Sequence, residues 1–236
     1  MMFDDFFNNK SLLISGGSSG IGKAVALMAR EEGAVVGVIS NKREEFTAMP
    51  SGIICLEADV RNPAAVKNAV DTFAGKCGKI DMLVNCAGVS LWKDFLEMDE
   101  QFWDLIYDVN VKGTFLVSQA VARHMVAAGN GIIINVASMS GLKSGMMRAS
   151  AYASSKWAVV GFSRNLHLEL KQYGIKVGCF CPGSTATPLH ERAGSPDIDK
   201  MLSAEEVART ILFMLYNSKN GHLQLVGQPA FFEEWK

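Results

Sequence analysis

Cysteine is scarce and unpaired in this chain. The five thiols, Cys55, Cys77, Cys86, Cys179 and Cys181, are odd in number and include no C-x-x-C pair. Neither a disulfide framework nor a zinc site is indicated, and no metal is expected. Proline numbers only six in 236 residues, and no Pro-, Gly- or Ser-rich tract divides the sequence, so a single domain over 1–236 is expected. No apolar run approaches the roughly 20 residues that span a bilayer, because Gly, Ser or a charge interrupts each one. An excess of one charge is also missing: 23 Lys and Arg face 24 Asp and Glu, for a formal net charge of -1. That balance excludes the basic footprint of a nucleic-acid binder. The opening MMFDDFFNNK has no basic n-region and carries Asp4 and Asp5 where a signal peptide needs an apolar core. The expectation is a soluble, cytoplasmic protein with neither a membrane nor a nucleic-acid partner.

What is present is a pattern. Short β-rich apolar runs (SLLIS, AVVGVIS, GIICLEA, DMLVN, GIIINVAS, IKVGCFC, HLQLV) alternate with longer helical segments. These segments begin near Gly20, through Val66 and Val70, near Glu100, around Tyr152 and near Ala204. Repeated β-then-α order needs crossover connections, which predicts a parallel sheet with helices on both faces. The strands read as continuous apolar runs, as doubly covered strands do. The fold class is therefore α/β, a doubly wound parallel sheet.

The first strand runs into SGGSSGIGKAVALMA. Gly16, Gly20 and Gly22 stand at a strand-to-helix turn, with Ser18, Ser19 and Ile21 among them. Such a turn lets backbone approach a pyrophosphate, while the helix start offers N–H groups and a positive dipole end. A tight turn that binds nothing is the bland alternative, and its place after the first strand of a β/α chain favours dinucleotide binding. The second strand ends at Ser40, followed by Asn41, Lys42 and Arg43. In NAD sites a carboxylate roughly 20 residues beyond the glycines holds the ribose hydroxyls, and Ser40 takes that place here. Neutral and basic side chains suit a 2′-phosphate instead, so NADP is favoured and NAD remains possible. Lys42 and Arg43 can equally be the solvated start of a helix.

The stretch SAYASSKWAVVGF sets Tyr152 and Lys156 four positions apart. On a helix this spacing places both on one face, about 5–6 Å apart at Cβ. At an effective dielectric near 20, an ammonium at that range attracts a phenolate by about 3 kcal/mol, so the phenol becomes a usable acid or base.

Gly16-x3-Gly20-Ile21-Gly22, Asp59-Val60, Asn85-Cys86-Ala87-Gly88, Asn110, Ser138, Tyr152-x3-Lys156 and Pro182-Gly183 occur in that order over about residues 10–190. Together they resemble the short-chain dehydrogenase/reductase family, in its shorter-chain oxidoreductase branch; the extended epimerase-type branch would want glycine at Ser19. The resemblance implies a Rossmann fold and an NAD(P)-dependent oxidoreductase acting on a carbonyl or alcohol. It makes Tyr152 the proton donor or acceptor and Ser138 the hydrogen-bond partner of the substrate oxygen. Lys156 would tune Tyr152 and hold the nicotinamide ribose, and Asn110 would position a water in the proton relay. Asp59 and Val60 match adenine contacts, and Asn85, Ala87 and Gly88 match the segment beneath the cofactor. Pro182, Gly183, Thr185 and Thr187 match the stretch around the nicotinamide, with Thr187 on its carboxamide. For Asn85 the alternative is support of the sheet, and for Thr187 a simple cap.

Ser90, Leu91, Trp92, Met139, Met146, Met147, Leu189 and His190 are candidates to face the substrate. They form an apolar, Met-rich set suited to a hydrophobic carbonyl compound. Residues 188–201 are turn-rich and are expected to form a lid. The tail QPAFFEEWK lacks the paired glycines that often follow the last strand in relatives, and its Phe231, Phe232 and Trp235 form an apolar cluster. The helices beginning near Glu100 and Ala149 resemble the family's dimer-forming pair, implying a homodimer or homotetramer. Two alternatives stay open: a 3-oxoacyl-thioester reductase, for which Lys143 and Arg148 are the local basic groups, and a catalytically silent dinucleotide sensor.

Overall fold

Apolar residues at every interior position of a strand require cover on both faces, and the computed structural model shows how this chain provides it. It describes residues 3–143, 145–188, 198–216 and 221–233. The strands are β1 (Ser11–Ser15), β2 (Val35–Ser40), β3 (Ile54–Glu57), β4 (Met82–Asn85), β5 (Gly131–Val136), β6 (Ile175–Pro182), β7 (Thr185–Ala186), β8 (Leu202–Ser203) and β9 (Leu225–Gln228). Seven of them form one parallel sheet in the order β3-β2-β1-β4-β5-β6-β9, while β7 and β8 make a separate small pair. The helices are α1 (Gly20–Glu31), α2 (Pro63–Cys77), α3 (Glu100–Tyr107), α4 (Thr114–Ala128), α5 (Ser150–Leu170) and α6 (Ala204–Leu215). Among them none is long and apolar enough to cross a membrane.

Alternation along each strand splits the core into two layers. Leu12 and Ile14, Met82 and Val84, and Ile134 pack with residues of α1 and α6. Leu13, Leu83 and Ile133 pack with residues of α2 and α4. Local chemistry sets the helix ends. Asn62 accepts the N–H groups of Ala64 and Ala65 ahead of Pro63, and Ser203 forms a reciprocal capping box with Glu206.

The long helix expected from Glu100 is interrupted. Asp108–Gly113 forms a π turn between α3 and α4, a widening that inserts one residue and re-aims its side chains. It turns Asn110 into the interior, where the Asn110 carbonyl accepts the Thr114 hydroxyl at 2.8 Å. Cys179 and Cys181 are both fully buried, beneath Val159 and Val160 of α5.

A polar row crosses the carboxyl edge of the sheet. Ser15, Asn85 and Asn135 are neighbours in register on β1, β4 and β5. Ser15 Oγ donates to Asn85 Oδ1 at 3.0 Å. Asn85 Nδ2 donates to Asn135 Oδ1 and to Ser118 Oγ of α4, each at 2.9 Å. Asn135 Nδ2 then donates to Ser163 Oγ of α5 at 2.9 Å. Asn85 thus spends its side chain inside the sheet and ties three strands to the helix layer. Asn85→Ala strands the partners on either side without bonds in a dry environment, and is expected to lower stability by about 2–4 kcal/mol. Urea unfolding at unchanged m-value measures it; a loss below about 0.5 kcal/mol would contradict the role given to the row.

Candidate active site

The sheet order reverses between β1 and β4, and a crevice opens at their carboxyl ends, where open α/β sheets bind ligands. It consists of two cavities, of 380 Å³ and 460 Å³, that share Ile21, Cys86, Gly88, Val89 and Thr187 along their junction. The first is floored by the turn after β1. Gly16 sits at φ 68, and a Cβ there would lie 2.7 Å from the Ala87 backbone, so only glycine lets the β1 and β4 ends approach. Gly20, Ile21 and Gly22 at the start of α1 line the cavity. Ser19, the N-cap, makes no side-chain cap bond, so backbone N–H groups and the helix dipole are presented to whatever lies there. Ser18, Ser40, Asn41 and Lys42 line the same cavity, with Asp59, Val60 and Ala87 on the far wall. These donors and the glycine cradle fit the phosphates of a dinucleotide.

Two expected cofactor contacts, Arg43 and Asn85, and the expected water-positioning Asn110 lie off this lining. Arg43 is turned out to Glu57, 3.6 Å away. Asn85 is committed to the polar row. The Asn110 side chain clamps the backbone of Val89, accepting its N–H at 2.8 Å and donating to its carbonyl at 3.0 Å, with a further bond to Ser155 Oγ at 3.0 Å. It shapes the junction from behind.

The 460 Å³ cavity holds Ser138, Tyr152 and Lys156 together, with Pro182, Gly183, Thr185 and Thr187 opposite. Lys156 is only 7% exposed. Its Nζ donates to the Val136 carbonyl at 3.2 Å and stands 5.8 Å from the centre of the Tyr152 ring. Ser138 ends the strand region and caps the short turn Met139–Gly141, its Oγ accepting the Ser140 N–H at 3.1 Å. That bond uses a lone pair and leaves the hydroxyl proton to donate. Gly141 fixes the turn against α5: a Cβ there would meet the Lys156 carbonyl at 2.7 Å. A phenol, an ammonium and a hydroxyl therefore converge on one chamber, an arrangement able to move a proton and polarise a C–O bond. Desolvation pushes the Cys86 thiol at the junction up to about 12, so it stays protonated.

Ser90, Trp92, Met139 and Met146 line the chamber; Leu91 and the strongly exposed Met147 do not. Leu189, His190 and, of the lid expected over 188–201, residues 189–197 lie outside the described residues, as does Trp235. Phe231 is fully exposed and Phe232 half-exposed.

Three residues in the crevice were not singled out in the sequence. Glu45, three positions after Lys42, enters the first cavity and pairs with Lys42 at 3.1 Å. Arg61 grips Asp59 with bonds of 2.6–3.0 Å and holds its carboxyl below the ordinary value. Glu233, from the tail, lines the reactive chamber. Its Oε1 accepts Ser184 N–H at 3.0 Å and Ser184 Oγ at 2.7 Å, and its Oε2 accepts Ala230 N–H at 3.2 Å. The i,i+3 spacing of Lys42 and Glu45 was a usable signal, whereas nothing local announces the reach of Glu233.

Comparison with known proteins gives this geometry a lineage. The family model for short chain dehydrogenase matches residues 10–197. The chain is 36% identical over 222 residues to the hydroxy(phenyl)methylsuccinyl-CoA dehydrogenase subunit BbsD of Thauera aromatica, covering 87% of this chain and 89% of that protein. It is 33% identical over 229 residues to an NAD-dependent glycerol dehydrogenase of Listeria innocua, covering 90% of each. A short chain dehydrogenase from Burkholderia cenocepacia, solved in complex with NADP, superposes with a TM-score of 0.83 at 30% identity, over 95% of this chain and 98% of that one. The chain belongs to the short-chain dehydrogenase/reductase family and is an oxidoreductase of that family.

The Glu233 brace is testable without any substrate. Glu233→Ala removes the acceptor of two backbone N–H groups, and the Ser184 and Ala230 amides are expected to exchange with deuterium at least about tenfold faster. Unchanged protection would show that the tail is held by other contacts.

Proposed function

We propose that this chain is an NADP-dependent carbonyl reductase, or equivalently an alcohol dehydrogenase in the reverse direction. The observation that carries the reading is the convergence of Ser138, Tyr152 and Lys156 on a chamber continuous with the glycine-turn cavity. Bound nicotinamide would supply the hydride. Ser138 donates a hydrogen bond to the substrate oxygen, keeping its own proton, and holds the carbonyl beside Tyr152. Tyr152 gives its phenolic proton to that oxygen as negative charge develops, and takes it back in the oxidative direction. Lys156, oriented by the Val136 carbonyl, stabilises the phenolate that remains and would also hold the nicotinamide ribose. Thr185 and Thr187 would face the nicotinamide, while Gly16, Ser18, Ser19 and the start of α1 would hold the pyrophosphate. Asn110 acts from behind by fixing Val89.

Preference for NADP is supported by Ser40 in place of a carboxylate at the end of β2 and by Lys42 in the cavity lining. The Burkholderia relative in complex with NADP supports it, and the NAD-dependent Listeria relative marks the other choice. Trp92, Met139 and Met146 favour a substrate with an apolar body. A thioester substrate on a phosphopantetheine arm needs a basic entrance, and here Arg148 is already paired with Asp94 at 3.3 Å. A silent sensor is disfavoured because Ser138, Tyr152 and Lys156 are all present.

The assembly we propose is a homodimer through the α4/α5 face. Phe115 packs edge-on to Phe162 across these helices with ring centroids 6.4 Å apart. Phe115, Trp157 and Leu168 are nonetheless 40%, 50% and 58% exposed, which leaves an apolar surface for a second copy.

Tyr152→Phe is expected to lower kcat by at least about 100-fold with NADPH affinity within about twofold of the parent. Calorimetric titration and steady-state assay over apolar ketones read the two separately. Surviving turnover would remove Tyr152 from the proton step, and failure of the parent to bind either NADPH or NADH would end the dinucleotide reading. Trp157→Glu should convert the dimer to monomer in sedimentation analysis; an unchanged mass would move the interface elsewhere.

A further inference from the structure

The adenosine end of the crevice contains an anion supplied by the chain itself. Glu45 lies on the 3-10 turn that follows β2 and points its carboxylate back into the cavity. Its Oε1 is 3.1 Å from Lys42 Nζ, and its Oε2 accepts the Ser18 hydroxyl at 2.5 Å. Ser18 Oγ is also 2.8 Å from Ser40 Oγ, which accepts the Lys42 N–H at 3.1 Å. An ammonium and a hydroxyl thus meet on one carboxylate beside the end of β2. The same groups are the donor set that a phosphate monoester would need.

We propose that Glu45 is a specificity-determining residue that competes with the 2′-phosphate of the cofactor for Lys42 and Ser18. The inference rests on the NADP reading of this crevice. Ser18 has one hydroxyl proton to give, and two anions held against one ammonium repel each other, so a 2′-phosphate that takes these donors works against the carboxylate. Glu45 can yield, because its side chain is 21% exposed and the pair it leaves is a partly solvated one. Binding exchanges one ion pair for another, and the gain from the phosphate is only the difference. A ribose carrying a 2′-hydroxyl brings no second charge and does not force the exchange. The neighbouring cations are directed elsewhere in this structure: Arg43 faces Glu57, and Arg61 is held by Asp59. Glu45 therefore narrows the margin by which NADP is chosen over NAD.

The test uses 2′,5′-ADP and 5′-AMP, which carry the adenosine end with and without the 2′-phosphate and report binding independently of turnover. Each is titrated calorimetrically into the full chain, into Glu45→Gln, and into Glu44→Gln, a neighbouring exposed carboxylate outside the cavity lining. Glu45→Gln is expected to tighten 2′,5′-ADP about fivefold or more and to leave 5′-AMP within about twofold, with Glu44→Gln changing neither. Unchanged 2′,5′-ADP affinity would overturn the proposal. So would an equal gain for 5′-AMP or in Glu44→Gln, which would reveal a general field, and so would weakened 5′-AMP binding, which would make Glu45 a ribose acceptor. If the parent prefers 5′-AMP and Glu45→Gln reverses that order, the competition stands while the NADP reading of the parent falls. If no protein binds either probe, both fall together.

Discussion

Asn85 gives both amide protons across the molecule, to Asn135 and to Ser118, and receives one from Ser15. An amide buried in the middle of a sheet costs several kcal/mol unless it is satisfied, so this arrangement tolerates one register of β1, β4 and β5 and no other. The crevice follows from that register. The residues that continue each strand past the row are Gly16, Cys86 with Ala87, and Val136 leading to Ser138. They supply the glycine turn, the junction of the two cavities, and the carbonyl and hydroxyl of the reactive chamber. A slip of one residue would turn the polar row toward the apolar layers and dismantle the floor in the same move.

Elements whose identity depends on local chemistry were legible in the sequence. Continuous apolar strands read as doubly covered because alternate residues such as Leu12 and Leu13 feed opposite layers. Tyr152 and Lys156 read as a pair because a helix fixes the i,i+4 distance. What was not legible depends on where long side chains end. Asn85 stood open between a place beneath the cofactor and support of the sheet, and the choice was decided by Ser118 and Asn135, neither near it in sequence. Asn110 was named by the family resemblance, but its clamp on Val89 was not legible, since a helical pattern cannot show where a π turn inserts one residue. Lys42 and Arg43 looked equivalent, yet adjacent residues of a tight turn point in different directions; one enters the cavity and the other meets Glu57.

The tail illustrates a third kind of limit. Its departure from the expected glycines is visible, but the replacement is made by a single carboxylate reaching back to Ser184. Ser184 lies between Gly183 and Thr185, in the segment facing Tyr152 and Lys156. One wall of the chamber is therefore fastened, through an ion-to-amide contact, by a residue about 50 positions away in sequence.

The two ends of the crevice are held by interactions of different strength, and this sets what can vary. At the reactive end, Lys156 is buried on a backbone carbonyl and Asn110 is bonded on both its amide atoms. Removing a buried partner of that kind costs about 1–3 kcal/mol and shifts the atoms that line the chamber. At the adenosine end, Lys42 with Glu45, and Arg61 with Asp59, are partly exposed pairs of the kind worth about 0.2–1 kcal/mol. Substitutions at these exposed pairs are expected to have little effect on folding or on the position of Tyr152. On the proposed function, proton transfer would rest on the costly interactions and cofactor choice on the cheap ones, so single substitutions would change the second while the first is kept.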